Sequence, residues 1–241
     1  MSIVERFFTL ENEPCVIHLS DRPNGFGILL LGDYNHFVDN RTSLWMQHNG
    51  KAKLLNALVR KGYTIFTSNL YGRHWGSNAA VTLAKRLYHV VMKKEILNEN
   101  IHIIAEGMGA LVALQIMHNN PSYIRSAVLI NPCLHLPRHI ELEREHKFFY
   151  KRLLRELTIA YQSEDNMIQA ISSKTFQNNP SSIPVQLLVP IHEKNERKMV
   201  IRDFEQFHSK TGDVFLLFHF PESKYNMADA ISQFYRNNEK L

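Results

Sequence analysis

Short apolar runs alternate with amphipathic stretches along the sequence, and this alternation restricts the possible fold more than any other feature. The runs are rich in leucine and β-branched residues, and they predict strands at residues 15–19, 27–31, 63–68, 101–105, 127–130, 185–189 and 214–218. Strands that alternate with helices predict right-handed βαβ units and a mostly parallel sheet. Because the predicted strands are apolar nearly throughout, we expect helices on both faces of that sheet.

The stretches between the runs carry the spacing and boundary residues of helices. One pattern places four apolar side chains on one face: Leu54, Leu55, Leu58 and Val59. Gly62 follows this pattern as a C′ residue, and Ser77 is placed to be the N-cap of the next helix. Residues 109–117 are almost all apolar, which predicts a buried helix, and further helices are predicted at 199–207 and 226–235.

Composition narrows the class of protein. The 241 residues, of which 44% are hydrophobic and 21% charged, fit a globular chain, and we predict one domain over 1–241. A net charge of +5 without a basic block does not favour nucleic-acid binding. Apolar runs of about eight residues are too short to cross a membrane, and the first residues lack the order of a signal peptide, so a cytoplasmic location is predicted.

Two further absences limit the chemistry. The only cysteines, Cys15 and Cys133, are far apart, which excludes a disulfide scaffold and a four-cysteine zinc site. No dinucleotide-binding or P-loop glycine pattern is present, so no cofactor is expected.

Ligands of parallel α/β sheets bind beyond the carboxyl ends of the strands, and the residues found there carry a resemblance. Residues 105–110, AEGMGA, follow a predicted strand and open a buried helix, and they resemble the nucleophile elbow G-x-S-x-G of the α/β-hydrolase family. Residues 69–77 resemble the family's D-x-x-G-x-G-x-S loop. Residues 30–33 resemble its H-G loop, and 183–185 resemble its I-P-V strand entry. The four segments are in register, and the resemblance extends over about residues 15–240. It implies an α/β-hydrolase-like sheet with helices on both faces and a short helical cap.

The residues at the family's catalytic positions do not match its chemistry. The nucleophile position is Gly107. The acid aligns with Asn195, or alternatively with Asn131, and the histidine aligns with Tyr225 or Lys224. His219 comes about five residues too early for that alignment. The resemblance therefore implies a pseudo-hydrolase without the Ser-His-Asp triad, and whether the chain is an enzyme stays open.

The same strand ends supply the candidate binding residues. The predicted ligand site comprises Gly32, Asp33, Tyr34, Glu106, Gly107, Met108, Asn131 and Cys133. The elbow amide at the start of the helix favours an anion, although Glu106 beside it opposes one, and an inherited turn without a ligand is the alternative. The ligand is expected to be small and partly apolar.

A cluster of potential metal ligands follows residue 130. Cys133, His135, His139, Glu141 and His146 resemble a metal-binding spacing, but a chain with 13 histidines forms such clusters by chance, and no metal is predicted. Cys133 is also a candidate substitute nucleophile.

Residues 138–178 are charged and helical, and they occupy the place of a family cap. Phe149, Leu153 and Leu157 form an apolar stripe there. A cap over the pocket is the favoured interpretation, with a dimer face or a membrane-surface helix as alternatives.

Three hypotheses about function remain open at this point. The favoured one is a pseudo-hydrolase that binds a small ligand or a protein partner through the former active-site pocket, with no nucleic-acid or membrane partner. The second is an esterase- or thioesterase-like enzyme with a relocated nucleophile. The third is a structural subunit, including a homodimer.

Overall fold

In the computed structural model, which describes residues 3–162, 167, 171–219 and 227–239, one eight-stranded sheet forms the centre of the molecule. Its strand order is β1-β2-β4-β3-β5-β6-β7-β8. The strands are β1 (Ile3–Leu10), β2 (Glu13–Ser20), β3 (Gly27–Leu31), β4 (Thr64–Ser68), β5 (Ile101–Glu106), β6 (Ile124–Ile130), β7 (Val185–Pro190) and β8 (Val214–His219). Strands β1 and β2 are antiparallel to their neighbours, and all other pairs are parallel.

Helices connect these strands and cover both faces of the sheet. In the described part of the chain they are α1 (Leu44–Gln47), α2 (Asn49–Arg60), α3 (Asn78–Lys94), α4 (Gly109–Asn119), α5 (Leu136–Glu143), α6 (Lys147–Tyr161), α7 (Asn195–His208) and α8 (Met227–Asn237). Short 3₁₀ turns lie at Pro121–Tyr123 and Phe176–Asn178. The mostly parallel α/β sheet predicted from the sequence is confirmed.

Two apolar layers hold the sheet between its helices. On one face, α3 and α4 contribute Leu83, Leu87 and Val112 to a cluster that also contains Leu29. On the other face, α2 contributes Leu58 to a second cluster that also contains Ile28. Adjacent residues of β3 therefore point to opposite helix layers, which is why that strand is apolar at every position.

Two of the predicted helix boundaries, at Gly62 and Ser77, agree with local backbone chemistry. The Ser77 side chain accepts a hydrogen bond from the N–H of Ala80 at 3.4 Å, as an N-cap does. Gly62 follows α2 with a φ of +99°, a conformation that glycine adopts at little cost. Gly62 therefore ends α2 shortly before β4 begins, and Ser77 starts α3 after the loop that follows β4.

Two of the differences from the predictions have a clear physical cause. Strand β1 was not predicted, because it is an edge strand with exposed charged residues and has no continuous apolar run. A tight turn at Glu11 and Asn12, with φ of 53° and 65°, joins it to β2. Helix α7 begins four residues before the predicted residue 199, because its first turn is polar and exposed and adds nothing to the apolar periodicity.

The described part of the segment between β6 and β7, which contains α5 and α6, lies over the carboxyl end of the sheet. Leu153 and Leu157 of α6 join Trp75, Met108 and Leu111 in a separate apolar cluster. This segment therefore packs on the elbow region and not on the two main helix layers. None of the described helices is long and apolar enough to cross a membrane.

Candidate functional site

The turn between β5 and α4 has the backbone conformation of an elbow. Gly107 has a φ of +52°, in the left-handed region that costs energy for residues with a side chain. Its N–H donates to the carbonyl of Ile130 at 3.0 Å, and its own carbonyl accepts from the N–H of Cys133 at 2.9 Å. The end of β6 and the loop after it therefore hold the turn on both sides.

A carboxylate occupies the space above this glycine. The Oδ1 atom of Asp33 accepts a hydrogen bond from the N–H of Met108 at 3.0 Å. A Cβ atom placed on Gly107 would overlap the Asp33 carboxylate, and even the more distant Oδ2 would be only 2.6 Å away. A serine side chain has no room at this position, and the first amide donor of the elbow already binds an internal anion.

The loop after β3 holds Asp33 in this position. The N–H of His36 donates to the carbonyl of Asp33 at 2.7 Å, which closes a tight turn. The His36 ring packs where a Cβ atom on Gly32 would lie, and its Nε2 is 3.1 Å from Oγ1 of Thr67. The ring is buried, so the loop has little freedom to move the carboxylate away.

Among the described residues, the other predicted triad positions place no acid or base at the elbow. Asn195 is the exposed first residue of α7 and does not line the cavity at the elbow. Tyr225 and Lys224 lie outside the described residues. Asn131 does line the cavity, with a φ of +46°, and His219 is the last residue of β8 and lies outside the cavity lining.

A cavity of about 540 Å³ opens above the elbow, between the strand ends and α5, α6 and α7. Six of the predicted binding residues line it: Asp33, Tyr34, Gly107, Met108, Asn131 and Cys133. Apolar side chains form much of its wall, among them Trp75, Leu142, Phe149, Leu153 and Ile201.

Two predicted binding residues do not line the cavity. Gly32 is covered by the His36 ring. Glu106 points to the opposite side of the sheet from α4, where its carboxylate forms a close ion pair with the Lys51 ammonium of α2. The pair neutralises Glu106, so this carboxylate does not carry a free negative charge at the elbow.

The family described as the alpha/beta hydrolase fold matches residues 31–175, which is more than half of the chain. The chain belongs to the α/β-hydrolase fold family. No curated protein sequence matches it.

Several solved structures of esterases have a similar fold. An esterase from Pyrococcus furiosus is 14% identical with a TM-score of 0.65, covering 99% of this chain and 91% of its own. The esterase Est1E from Butyrivibrio proteoclasticus is 10% identical with a TM-score of 0.65, covering 97% of this chain and 98% of its own. An esterase/lipase from an uncultured bacterium is 12% identical with a TM-score of 0.65, covering 98% and 85%. At these identities the comparison concerns the hydrolase fold alone.

Cys133 is a poor nucleophile in this hydrolase fold. Burial raises the pKa of its thiol to about 12, Arg197 opposes the increase, and Asp33 adds to it. The thiol is therefore protonated at neutral pH, whereas a reactive cysteine needs a thiolate.

Two of the histidines that follow Cys133, His135 and His139, make contacts that hold the fold, whereas His146 lines the cavity. The Nδ1 of His135 accepts from the N–H of Arg138 at 3.1 Å and caps α5. His139 stacks on Trp75 with ring centroids 5.3 Å apart. Burial lowers the pKa of both imidazoles, so they are neutral. Within the described ranges, no group of three or more His, Cys, Asp or Glu side chains has the arrangement of a metal site.

Two residues of α6 that the sequence did not single out, Glu156 and Tyr161, attach this helix to the loop after β4. The Glu156 carboxylate accepts from Nη1 of Arg73 at 2.7 Å and from the indole N–H of Trp75 at 3.0 Å. The hydroxyl of Tyr161 donates to the Trp75 carbonyl at 2.8 Å. A signal for Glu156 exists in the sequence, because it lies three residues after Leu153 on the apolar stripe, where a carboxylate needs a buried partner.

Arg197 is the other site residue missed at the sequence level. It lies in the first turn of α7 and lines the cavity. The side chain is exposed, and its positive charge acts to lower the pKa of both Cys133 and His139. The predicted helix began at residue 199, so the sequence offered no reason to place Arg197 on a helix beside the cavity.

Proposed function

We propose that this α/β-hydrolase-fold chain is a pseudo-hydrolase that binds a small, partly apolar ligand in the elbow cavity and does not catalyse acyl transfer. The observation that carries this proposal is the Asp33 carboxylate, which fills the space of the missing nucleophile and accepts the Met108 N–H. Residues 138–178 would act as the cap over the ligand.

The chemistry of acyl transfer explains why this arrangement argues against catalysis. Ester hydrolysis needs an attacking group, a base and amide donors for the developing oxyanion. Here the attacking group is absent, and the elbow amide is occupied. Two negative charges 4 Å apart near a protein surface repel by about 4 kcal/mol, so Asp33 would also oppose an oxyanion at this position.

The walls of the cavity support ligand binding. Leu142, Phe149 and Leu153 present apolar surface to a volume that suits a small molecule. Phe149 is 48% exposed, and burial of this side chain under a ligand would be favourable. At the elbow, the Asp33 carboxylate presents a hydrogen-bond acceptor to the cavity. Active hydrolases present backbone N–H donors at this position.

The competing enzyme hypothesis requires Cys133 as a relocated nucleophile. Its high pKa, caused mainly by burial, leaves almost no thiolate at neutral pH. The neighbouring His135 and His139 do not supply an imidazolium that would lower it, because burial lowers the pKa of both rings.

Reactivity of the purified protein tests the proposal. We expect no fluorophosphonate labelling and no turnover of short- or long-chain p-nitrophenyl esters above the buffer rate. Gly107→Ser should stay inert, and so should Asp33→Gly/Gly107→Ser, in which the serine has room. Turnover by the unmodified chain would overturn the proposal, and its loss in Cys133→Ala would identify the nucleophile.

A further inference from the structure

The outward side of α6 carries a line of exposed residues that we call the outer stripe. Its four members follow one another at spacings of three, four and four residues, which places them on one side of the helix: Phe148, Lys151, Arg155 and Ile159. Phe148 is 74% exposed and Ile159 is 69% exposed. The opposite side of α6 packs on the elbow region through Leu153 and Leu157, which are buried. The helix therefore has a second face that the fold does not use.

The charges on and beside the outer stripe are mostly positive. Within residues 144–159, the exposed lysine and arginine residues are Arg144, Lys147, Lys151 and Arg155. None of these four side chains forms an ion pair or a hydrogen bond with the described residues. Glu145 is the only exposed carboxylate in the same range, because Glu156 is buried against Arg73. The surface therefore has an excess of positive charge that the rest of the described chain does not neutralise.

The rim of the elbow cavity adjoins the outer stripe. Phe149 lines the cavity, and its ring centroid is 5.7 Å from that of the exposed Phe148. The guanidinium carbon of Arg152 lies 5.3 Å from the Phe149 ring centroid and 5.9 Å from that of Tyr34, in the loop after β3. A flat surface in contact with Phe148 would therefore lie beside the mouth of the cavity.

The shape and chemistry of the outer stripe match an anionic lipid surface. The stripe is the convex side of one helix, whereas an apolar peptide or helix docks into a groove. A helix that lies flat on a bilayer inserts its phenylalanine and isoleucine side chains, while its lysine and arginine side chains reach the anionic headgroups. The four residues extend over about 16 Å of the helix axis, so one flat surface can contact all of them.

We propose that this protein binds peripherally to anionic lipid surfaces through Phe148, Lys151, Arg155 and Ile159, with the mouth of the elbow cavity beside the lipid. The sequence favoured a chain without a membrane partner and left a membrane-surface helix as an alternative, and the exposure pattern of α6 favours that alternative for its outward side. The proposal goes beyond the pseudo-hydrolase function. It involves no covalent step and holds whether or not the elbow is catalytic.

Vesicle flotation of the full chain tests the docking. Phosphatidylcholine vesicles that contain phosphatidylglycerol should carry the protein upward at low salt, and vesicles of phosphatidylcholine alone should carry little of it. Added salt should weaken the binding, because it screens the lysine and arginine charges. The proposal is overturned if the anionic vesicles carry no protein at low salt, or if both kinds of vesicle carry it equally.

Charge variants test whether the binding belongs to the outer stripe. Lys151→Gln/Arg155→Gln should weaken binding to the anionic vesicles about ten- to thirtyfold, as expected for the loss of two cations near such a surface. The matched control, Arg60→Gln/Lys93→Gln, removes two cations from the last turns of α2 and α3, at the amino end of the sheet and away from α6. It should bind almost as well as the unmodified chain. An equal loss in both variants would mean that net charge and not the outer stripe binds the lipid, which overturns the proposal.

Apolar variants test insertion into the lipid. Phe148→Ser/Ile159→Ser should weaken binding by roughly tenfold, because two apolar side chains no longer leave water. Ile96→Ser, at a 99% exposed position in the loop after α3, is the control and should leave the binding unchanged. Brominated lipids should quench the fluorescence that Phe148→Trp adds to the unmodified chain, but not the fluorescence added by Ile96→Trp. Thermal unfolding verifies that each variant is folded.

The remaining outcomes separate this proposal from the others. If the indole of Phe148→Trp is not quenched, the outer stripe does not contact the lipid and the proposal fails. If the α6 variants change self-association or binding to an acidic protein while vesicles carry no protein, the stripe belongs to a protein interface, and the proposal fails as well. Ester turnover tests the pseudo-hydrolase function separately, so failure of either proposal leaves the other unaffected.

Discussion

At the scale of single residues, the decisive contact joins two glycine-containing turns that are far apart in sequence. Gly107 and Asp33 were each singled out from the sequence as residues at strand ends. The contact between them was not predictable, because it depends on how the β3 loop folds back over the elbow. His36 fixes that loop through its N–H and its ring. The sequence thus identified both residues. Only the packing shows that the Asp33 carboxylate fills the space in which a side chain at position 107 would lie.

This contact predicts a coupled effect on stability. Gly107→Ala should lower the free energy of unfolding by about 2–4 kcal/mol, because it combines a positive φ with an overlap on the Asp33 carboxylate. In an Asp33→Ala background the same change should cost only about 1–2 kcal/mol, since the backbone strain alone remains. Urea unfolding of the four proteins gives this double-mutant cycle. Additive costs would contradict the overlap.

At the scale of elements, the interior strands were predictable and the edges were not. Strands such as β3 and β5 are apolar because helices cover both faces, so composition alone identifies them. Strand β1 has a helix layer over little of its length and exposes Glu5 and Arg6, so its sequence resembles a loop. The apolar stripe of α6 was predicted, but its attachment to the loop after β4 required the polar contacts of Glu156 and Tyr161.

Those contacts predict how α6 is held on the elbow region. Tyr161→Phe removes the hydroxyl donor of the Trp75 carbonyl, and it should cost about 0.5–1.5 kcal/mol. We expect the loss to appear mainly as faster hydrogen exchange of the α6 amides, with less effect on the central strands. Tyr150→Phe on the same helix is the matched control, because its hydroxyl has no hydrogen bond to the described residues. Equal exchange in both variants would show that the contact does not hold the helix.

At the scale of the whole molecule, buried neutral histidines link folding to pH. His18 in β2 and His36 and His74 near the elbow are almost fully buried. Burial lowers the pKa of His18 and His36 to about 4 and that of His74 to about 3, with Lys51 adding to the effect on His36 and His36 adding to that on His74. The unfolded chain binds protons on these imidazoles near the ordinary histidine pKa, and the folded chain does so only at much lower pH.

The sign of the pH dependence follows directly. Between about pH 6.5 and pH 4 the unfolded state binds more protons than the folded state, so stability is complete above this window and decreases as the pH falls through it. Each histidine contributes up to about 1.4 kcal/mol per pH unit. His18→Leu should remove the His18 contribution and make the slope less steep, because neither ring nitrogen of His18 has a hydrogen-bond partner in the described structure. Exposed His192→Gln is the control, and denaturant unfolding at a series of pH values gives both slopes. A His18→Leu slope equal to that of the unmodified chain would show that the buried imidazole does not titrate with folding.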